Sequence, residues 1–573
     1  MFTTLMPLTA HWLTFEQRSQ GLVSEAGLER LAKKLELEFM WESSMGSSEK
    51  KTLIVAGSAL ELLVEFSNNV VQSVSLGFPD SAEIVNKHAE TAGAILFKDL
   101  QLRENQSPLT KSLEKFAANF ERLAVLDKLS ITPGLNLYEA VAGIYESLTR
   151  LHLWELQKIR DDISLAGKSD EILENLALCT KSGKPTMNAR GRVGMTLDYW
   201  KERRLQPLPG PDMADWAAEH EQIWSILVGC AQQREIGVSP VRISDKWIGA
   251  TIEKAPLPDE MHAGDPIIDW LEPESTFVPM SEQTKADPMQ AEGPLLGPRL
   301  PEVVFHATFD PPVHIPLSLW HQIQELGCVL EETELRLFDN LVIPLPPGTE
   351  SDPAEMRTVT CTKKTIFIAP PGDSKLSLKT HANTLYVYRP VVSRTLTQMT
   401  FSHPQQLVSI LPYLRQYTFL AVLLRNSFKP TAPSPSAGNG KQPASSSSSS
   451  SIKAVTTDQA AFESFMAEVA SEQDEENPSS SSASQEPLNI DITLTLLPVP
   501  RLRVLFPFRD RTASVTLEIR ENGQVHVEAQ NVLDEGNMVA ANGRQRSPED
   551  VGKLLETVED VGKWVEFMRT RWA

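Results

Sequence analysis

The chain has 573 residues, of which 41% are hydrophobic, enough for roughly three or four units of typical domain size with real cores. Its 54 lysines and arginines are outnumbered by 75 aspartates and glutamates, and the formal net charge is -21. Because a negative overall field opposes general affinity for polyanions, we expect no direct sequence-specific nucleic-acid binding and no membrane binding.

The spacing of the cysteines and the length of the apolar runs indicate the cellular compartment of the protein. The four cysteines lie far apart, without the paired spacing of zinc ligands, which is typical of a reduced intracellular compartment. Residues 1–15 lack the basic start and long apolar core of a secretion signal, and the longest apolar run, residues 419–424, is too short to span a bilayer. The sequence predicts a soluble intracellular protein.

Residues 1–205 predict a small sheet followed by helices. Ser24 precedes apolar residues at helical spacing, after which the pattern alternates as in a strand. Residues 60–66 and 70–78 alternate on either side of a short polar turn and predict a hairpin. Beyond it the period becomes helical, including a long stripe behind an Asn136/Glu139 capping-box pattern. We expect these helices to pack on the sheet or on each other.

The middle of the chain divides into two predicted regions. Prolines recur through residues 206–301, which we interpret as an irregular connector interrupted by one helix around residues 215–233, because proline disfavours long helices and central strands. Residues 302–428 predict a second α+β region: several strands, then an apolar helix from His403 to Phe428 that Pro412 is expected to kink.

Residues 429–487 are rich in serine, proline and acidic residues, and we expect a disordered linker. Phe462, Phe465, Met466 and Val469 follow the spacing i, i+3, i+4 and i+7 within it, which is typical of a helix that folds into a partner's groove. The alternative is a few apolar residues in a solvated tether. The four residues are candidate partner contacts.

Residues 488–573 predict a compact C-terminal unit that docks on the main body. Asn522-Gly523 between alternating runs is a strong signal for a two-residue hairpin. Ser547-Pro548 is expected to start one terminal helix with an apolar face that extends to Met568. The fold class is therefore α+β: small antiparallel sheets with packed helices, a disordered linker and a C-terminal unit of a β-hairpin and a helix.

No pattern identifies an active site. Gly183-Lys184 lacks the preceding glycine and following hydroxyl of a phosphate loop, and Gly-x-Ser-x-Gly does not occur. The residues His306, Asp310, His314 and His321 match no compact zinc pattern. We expect no catalytic residue, cofactor, metal or small-molecule substrate. The Leu-x-x-Leu-Leu match at residues 420–424 has apolar flanks, which favours a buried core helix over a groove-binding motif.

The stretch KSGKPTMNARGRVGMTLDYWKERR, residues 181–204, carries seven basic and two acidic residues in this acidic chain. We interpret it as a local basic surface, anchored by burial of Tyr199 and Trp200, that pairs with an acidic neighbouring subunit or with the chain's own acidic regions. Solvated charges on an ordinary loop are the alternative. The candidate contacts are Lys184, Arg190, Arg192, Arg203 and Arg204.

Three stretches carry a family resemblance: LEKFAANFERLAVLDKLS, LNLYEAVAGIYESLTRLH and GKPTMNARGRVGMTLDYWKERR. Together they closely resemble the N-terminal region of the Mediator complex subunit 1 family, in the form found in filamentous fungi. RLRVLFPF near the C-terminus is similar to a later family block. The match between them, over residues 205–428, is looser.

The resemblance implies a nuclear, non-enzymatic subunit in the middle module of the Mediator coactivator. Such a subunit would bind other middle-module subunits and relay signals from DNA-bound activators to RNA polymerase II through the complex. Animal relatives recruit nuclear receptors through Leu-x-x-Leu-Leu boxes in a long tail, a property that we do not carry over to this chain.

Two other classes of function stay open at this point. One is a cryptic enzyme with a pocket lined by residues such as His306, Asp310 and His314. The other is a scaffold in an intracellular assembly outside transcription, for instance in trafficking. The sequence does not identify the contacting subunits or activators, or whether Ser434 before Pro435 is phosphorylated.

Overall fold

The computed structural model describes most of the chain. The described residues are 21–43, 50–103, 106, 110–132, 134–206, 222–233, 238–254, 266–278, 299–343, 356–368, 376–428, 487–533 and 545–572.

Helices and strands occur in consecutive groups along the described chain. The helices are α1 Glu25–Lys34, α2 Glu83–Asn86, α3 Ala89–Leu100, α4 Glu114–Leu129, α5 Leu137–Arg160, α6 Asp170–Thr180, α7 Leu317–Glu325, α8 Phe338–Val342, α9 Pro404–Phe428, α10 Pro548–Val558 and α11 Val561–Arg571. The strands are β1 Glu38–Ser43, β2 Lys50–Ala56, β3 Glu61–Ser67, β4 Val70–Gly77, β5 Lys184–Ala189, β6 Arg192–Lys201, β7 Ile223–Gln232, β8 Ile248–Glu253, β9 Ile268–Trp270, β10 Val303–Pro316, β11 Val329–Leu330, β12 Arg336–Leu337, β13 Arg357–Ile368, β14 Leu376–Val387, β15 Val392–Phe401, β16 Leu488–Thr495, β17 Arg501–Phe508, β18 Arg511–Arg520 and β19 Gln524–Gln530.

The first sheet is antiparallel, with strand order β1-β2-β3-β4. Its predicted hairpin is confirmed: Asn68 and Asn69 connect β3 to β4 with φ of 52° and 61°, the left-handed conformation that a two-residue hairpin turn requires. The long helix is also confirmed, since the Asn136 side chain accepts hydrogen bonds from the backbone N–H of Tyr138 and Glu139 at its start.

The largest sheet has seven strands, ordered β11-β15-β10-β7-β6-β5, with β12 paired to β15. The prediction of a helix around residues 215–233 is wrong over residues 223–232, which form the central strand β7 between β6 and β10. Helix and strand are not separated by periodicity in a short run that is mostly apolar, such as residues 226–231. The description of residues 206–301 as irregular therefore fails for this strand.

The third sheet has six strands, ordered β13-β14-β16-β17-β18-β19. The C-terminal unit docks as predicted, because β16 pairs in parallel with β14. The hairpin predicted at Asn522-Gly523 is present, and these two residues have φ of 58° and 65°. Its predicted two-residue loop is wrong, because Arg520 pairs with Gln524 and the loop has three residues, Glu521–Gly523. The predicted linker, residues 429–487, lies outside the described residues except for Pro487.

The single terminal helix predicted from the apolar face is wrong. The chain forms two helices, α10 and α11, which are separated by Glu559 in the left-handed conformation, with φ of 53°. The carboxylate of Asp560 then accepts a hydrogen bond from the Lys563 N–H and starts the second helix. Helix α10 starts at Ser547-Pro548 as predicted, and the Ser547 N–H and hydroxyl both donate hydrogen bonds to the Asp550 carboxylate.

Helix α9 lies between the two larger sheets and contacts strands of both, among them β10 and β13. Its Leu-x-x-Leu-Leu segment is in the core, since Leu420, Leu423 and Leu424 are fully buried, and the core prediction is confirmed. By length and composition α9 could cross a membrane, and 72% of its most apolar window is buried inside the protein.

One hydrophobic cluster joins all the predicted regions of ordered chain. It includes Leu151 of α5, Trp247 before β8, Leu396 of β15 and Trp564 of α11. A second cluster lies between the first sheet and helices α1, α3 and α4. The division of the chain into these regions stays a prediction, and the side chains of the regions build a common core.

Candidate interaction sites

The basic stretch is a β-hairpin formed by β5 and β6. Ala189 pairs with Arg192, and the two residues between them, Arg190 and Gly191, have φ of 52° and 71°. This is a two-residue turn of the type that suits hairpins. The pattern did not predict it, because Arg-Gly is not one of the usual turn pairs. The hairpin forms one edge of the largest sheet.

Most charges of this hairpin have acidic partners within the chain. Arg190 forms a two-pronged ion pair with Asp198, whose side chain is only 2% exposed and also accepts a hydrogen bond from Ser225. Arg192 pairs with Asp310. Lys184 lies 3.1 Å from a carboxylate oxygen of Glu174, and both of these side chains are about two-fifths exposed. The stretch is therefore largely neutralised by the chain's own residues.

Arg204 is not part of a surface, and the prediction that placed it there is wrong. Its side chain is 3% exposed, and its guanidinium carbon lies 4.1 Å from the centroid of the Trp200 ring. It donates a 3.0 Å hydrogen bond to the Gly523 carbonyl oxygen and lies 3.5 Å from Glu556. The C-terminal unit covers this residue, a long-range contact that the local sequence does not indicate. The predicted burial of Tyr199 and Trp200 is confirmed.

Arg203 has an exposed side chain, but its backbone N–H points inward. That N–H donates a 2.9 Å hydrogen bond to Glu559, the residue that breaks the terminal helices. Burial raises the pKa of the Glu559 carboxyl to about 7, against the opposing effects of this hydrogen bond and of Arg204. The junction with the C-terminal unit thus contains a carboxyl that titrates near neutral pH.

Arg415, in the middle of α9, is a buried residue that no sequence motif indicated. Its guanidinium donates hydrogen bonds to the backbone oxygens of Tyr199, Leu178 and Lys181 and to the Asn522 side chain. Burial lowers its pKa to about 10, so it stays charged at neutral pH. The available signal was an arginine within an otherwise apolar helical run. It ties α6, β6 and the C-terminal hairpin to the core helix.

The histidines considered as metal ligands have other partners. His306 lies 3.1 Å from Gln398, and His314 lies 3.0 Å from Thr395. His321 lies within 3.4 Å of Gln324 on its own helix. Burial lowers the pKa of His314 to about 4. Within the described ranges, no group of three or more His, Cys, Asp or Glu side chains is placed to hold a metal ion.

An open groove runs between α4 and the face of the largest sheet. Two adjoining cavities of about 590 Å³ and 400 Å³ form it, and both are lined by Val125, Cys230 and His306. The larger cavity has a mostly apolar lining, to which Lys128 and Glu331 add one basic and one acidic side chain. Of the three residues considered for an enzyme pocket, His306 alone lines these two cavities.

The second predicted contact segment, with Phe462, Phe465, Met466 and Val469, lies outside the described residues. Its binding to a partner stays a prediction. The same holds for direct partner contacts by Lys184, Arg190, Arg192 and Arg203, whose positions are now known.

Comparison with protein families identifies a relationship for this chain. A sequence profile of the family Mediator of RNA polymerase II transcription subunit 1 matches residues 13–429, more than half of the chain. No curated protein matches the sequence. The matched range extends from the first sheet through the basic hairpin to the end of α9.

Proposed function

The chain belongs to the Mediator subunit 1 family, and from this premise we propose that it works as a non-enzymatic subunit of the middle module. Membership makes it a Mediator subunit with a role in transcription by RNA polymerase II, associated with other Mediator subunits in the nucleus. The proposed role is to relay regulatory signals from DNA-bound activators to the polymerase. The family match over residues 13–429 is the observation that carries it.

The architecture supports a scaffolding role. Segments from the start, middle and end of the described chain share one core, and buried polar contacts such as those of Arg415 hold them together. A body built in this way presents fixed surfaces to several partners at once. Fixed surfaces are what a subunit requires to hold neighbouring subunits in a defined arrangement.

Transcription in nuclear extract tests the relay. Extract depleted of the chain is expected to lose activator-dependent transcription and to keep basal transcription, and purified chain should restore the activated level. Equal loss of both, or loss of neither, would contradict the relay. Cross-linking of the purified complex tests the module: cross-links confined to subunits outside the middle module would contradict that placement.

The basic hairpin remains our first proposed contact with an acidic neighbouring subunit. Arg190 and Arg192 are unsuitable for its test, because their substitution also breaks ion pairs within the chain. The Lys184 pair with Glu174 lies at the surface, where a broken pair costs little, and the Arg203 side chain is exposed. The double variant Lys184→Glu and Arg203→Glu should therefore weaken retention of the module in a salt-dependent manner. Unchanged retention at low salt would exclude this contact.

The segment around Phe462 is our second proposed contact. Deletion of residues 460–471 should reduce either recovery of the module or activated transcription if the segment folds into a partner's groove. A scrambled segment of the same composition is the matched control for tether length. If the deletion and the scrambled chain both behave like the wild type, the segment is only a tether.

A further inference from the structure

The outward face of the first sheet has an ordered pattern of charge. In the β1-β2-β3 register, Met40 pairs with Ile54, and Ile54 pairs with Leu63. Side chains alternate between the two faces of a sheet, and the opposite face, with Leu53 and Val64, is buried in the core. The three apolar residues therefore form a row that crosses the strands on the outward face.

Glutamates flank this apolar row on both sides. Two residues away along the strands in one direction, Glu38 and Glu61 lie on either side of Ala56. In the other direction, Glu42 and Glu65 lie on either side of Thr52. We call this set of nine residues the acidic sheet face.

The acidic sheet face is open in the described structure. Met40 is 64% exposed and all four glutamates are exposed, while Ile54 and Leu63 are half-buried and belong to neither core cluster. None of the four glutamates forms an ion pair with a described residue. Glu65 accepts a 2.7 Å hydrogen bond from Ser73, and exposed Lys50 lies at one corner of the face.

The spacing of the rows fits a helix. Residues two apart on a strand are separated by about 7 Å, so the two glutamate rows lie about 14 Å apart with the apolar row midway. An α-helix with its side chains is about 10–12 Å wide, and the apolar row, which spans three strands, is about 10 Å long, or roughly two helical turns. A helix laid across the strands would rest on the apolar row between the glutamates.

We propose that the acidic sheet face docks an amphipathic helix of a partner protein whose apolar stripe is flanked on both sides by lysine or arginine. Charge complementarity selects this occupant. A second copy of the chain would bring the same glutamates against each other, and the net charge of -21 opposes that association. Binding of a helix to the acidic sheet face does not depend on which Mediator module contains the chain.

A peptide titration with the full-length chain tests the proposal. The probe is a fluorescent synthetic helix with a leucine stripe and flanking lysines, and its partner probe has glutamates in place of the lysines. We expect the lysine peptide to bind, its Kd to rise about tenfold or more between low and moderately high salt, and the glutamate peptide not to bind.

Charge-reversal variants locate the site. The quadruple variant E38K/E42K/E61K/E65K should weaken binding of the lysine peptide at least about tenfold and permit binding of the glutamate peptide. A second quadruple variant, E90K/E121K/E302K/E325K, makes the same change in net charge at exposed glutamates elsewhere and should bind as the wild type does. Circular dichroism checks that both variants remain folded.

Met40→Asp provides a test that does not alter the glutamates. It places a charge in the exposed part of the apolar row and should also weaken binding of the lysine peptide. Absence of binding by the wild type, equal weakening by both quadruple variants, or full binding by the first variant and by Met40→Asp would each overturn the proposal.

Discussion

Arg190 holds the buried carboxylate of Asp198 with both of its terminal nitrogens, across the hairpin that the most basic stretch of the chain forms. Asp198 is 2% exposed, and Ser225 of the neighbouring strand donates a further 2.7 Å hydrogen bond to it. The Arg190 guanidinium therefore neutralises the buried Asp198 carboxylate of its own chain, and it is not available to pair with an acidic partner protein. The same reasoning applies to Arg204, which is buried against Trp200.

Arg190→Gln should lower the free energy of unfolding by about 2–3 kcal/mol, because it leaves the Asp198 carboxylate buried without its cation. This value lies below the usual range for a broken buried pair, because Arg190 is itself 38% exposed. Lys184→Gln, at an exposed pair, is the control and should cost less than about 1 kcal/mol. Denaturant unfolding measures both, and equal small effects would show that the pair contributes little.

Arg415→Met should be more damaging, by about 3–5 kcal/mol. It removes the charged donor that bonds to three backbone oxygens, two of them in buried hydrogen bonds. Arg415→Lys keeps the charge but cannot reach all of these oxygens, so its loss should be intermediate. A Met variant as stable as the wild type would contradict the proposed bridging role of this residue.

The raised pKa of Glu559 predicts how the free energy of unfolding changes with pH. Its pKa is raised from 4.5 in the ordinary carboxyl to about 7, so the folded chain holds this proton more tightly than the unfolded chain does. The stabilisation is complete below pH 4.5 and is lost as the pH rises through 7. The free energy of unfolding of the wild type should therefore fall by about 3 kcal/mol relative to Glu559→Gln over that interval.

Unfolding curves of the two chains between pH 4.5 and pH 8 measure this difference. Only the change in the difference with pH is diagnostic, because other carboxyls titrate in both chains. A constant difference across the interval would show that Glu559 titrates normally.

The Leu-x-x-Leu-Leu segment should act through stability. Leu423 is fully buried, so Leu423→Ala should lower the free energy of unfolding by about 2–5 kcal/mol. Leu153→Ala, at a side chain that is 59% exposed on α5, is the matched control and should change it by less than about 1 kcal/mol. If Leu423→Ala left stability unchanged but reduced binding to a partner, the segment would be a docking motif.

Local patterns predicted local structure well. The Asn136 cap, the Asn522-Gly523 turn and the apolar core helix follow from turn chemistry and periodicity over a few residues. Strand β7 was missed because residues 226–231 have no polar side chain that would mark the less buried face and reveal the period of a strand. The break at Glu559 was missed because an apolar helical face continued through it.

The candidate sites were harder to predict than the fold. A basic stretch indicates charge, but it does not show which acids lie opposite, and Asp310 and Glu556 are far from it in the sequence. The acidic sheet face depends on strand register, which places alternate residues of three strands in rows. Register is set by the whole folded sheet.

Affinity purification of the tagged endogenous chain from nuclear extract at moderate salt, followed by mass spectrometry, tests the central claim most directly. We predict recovery of the Mediator middle module together with RNA polymerase II. Recovery of the chain alone, or with a cytoplasmic assembly, would contradict the proposed function.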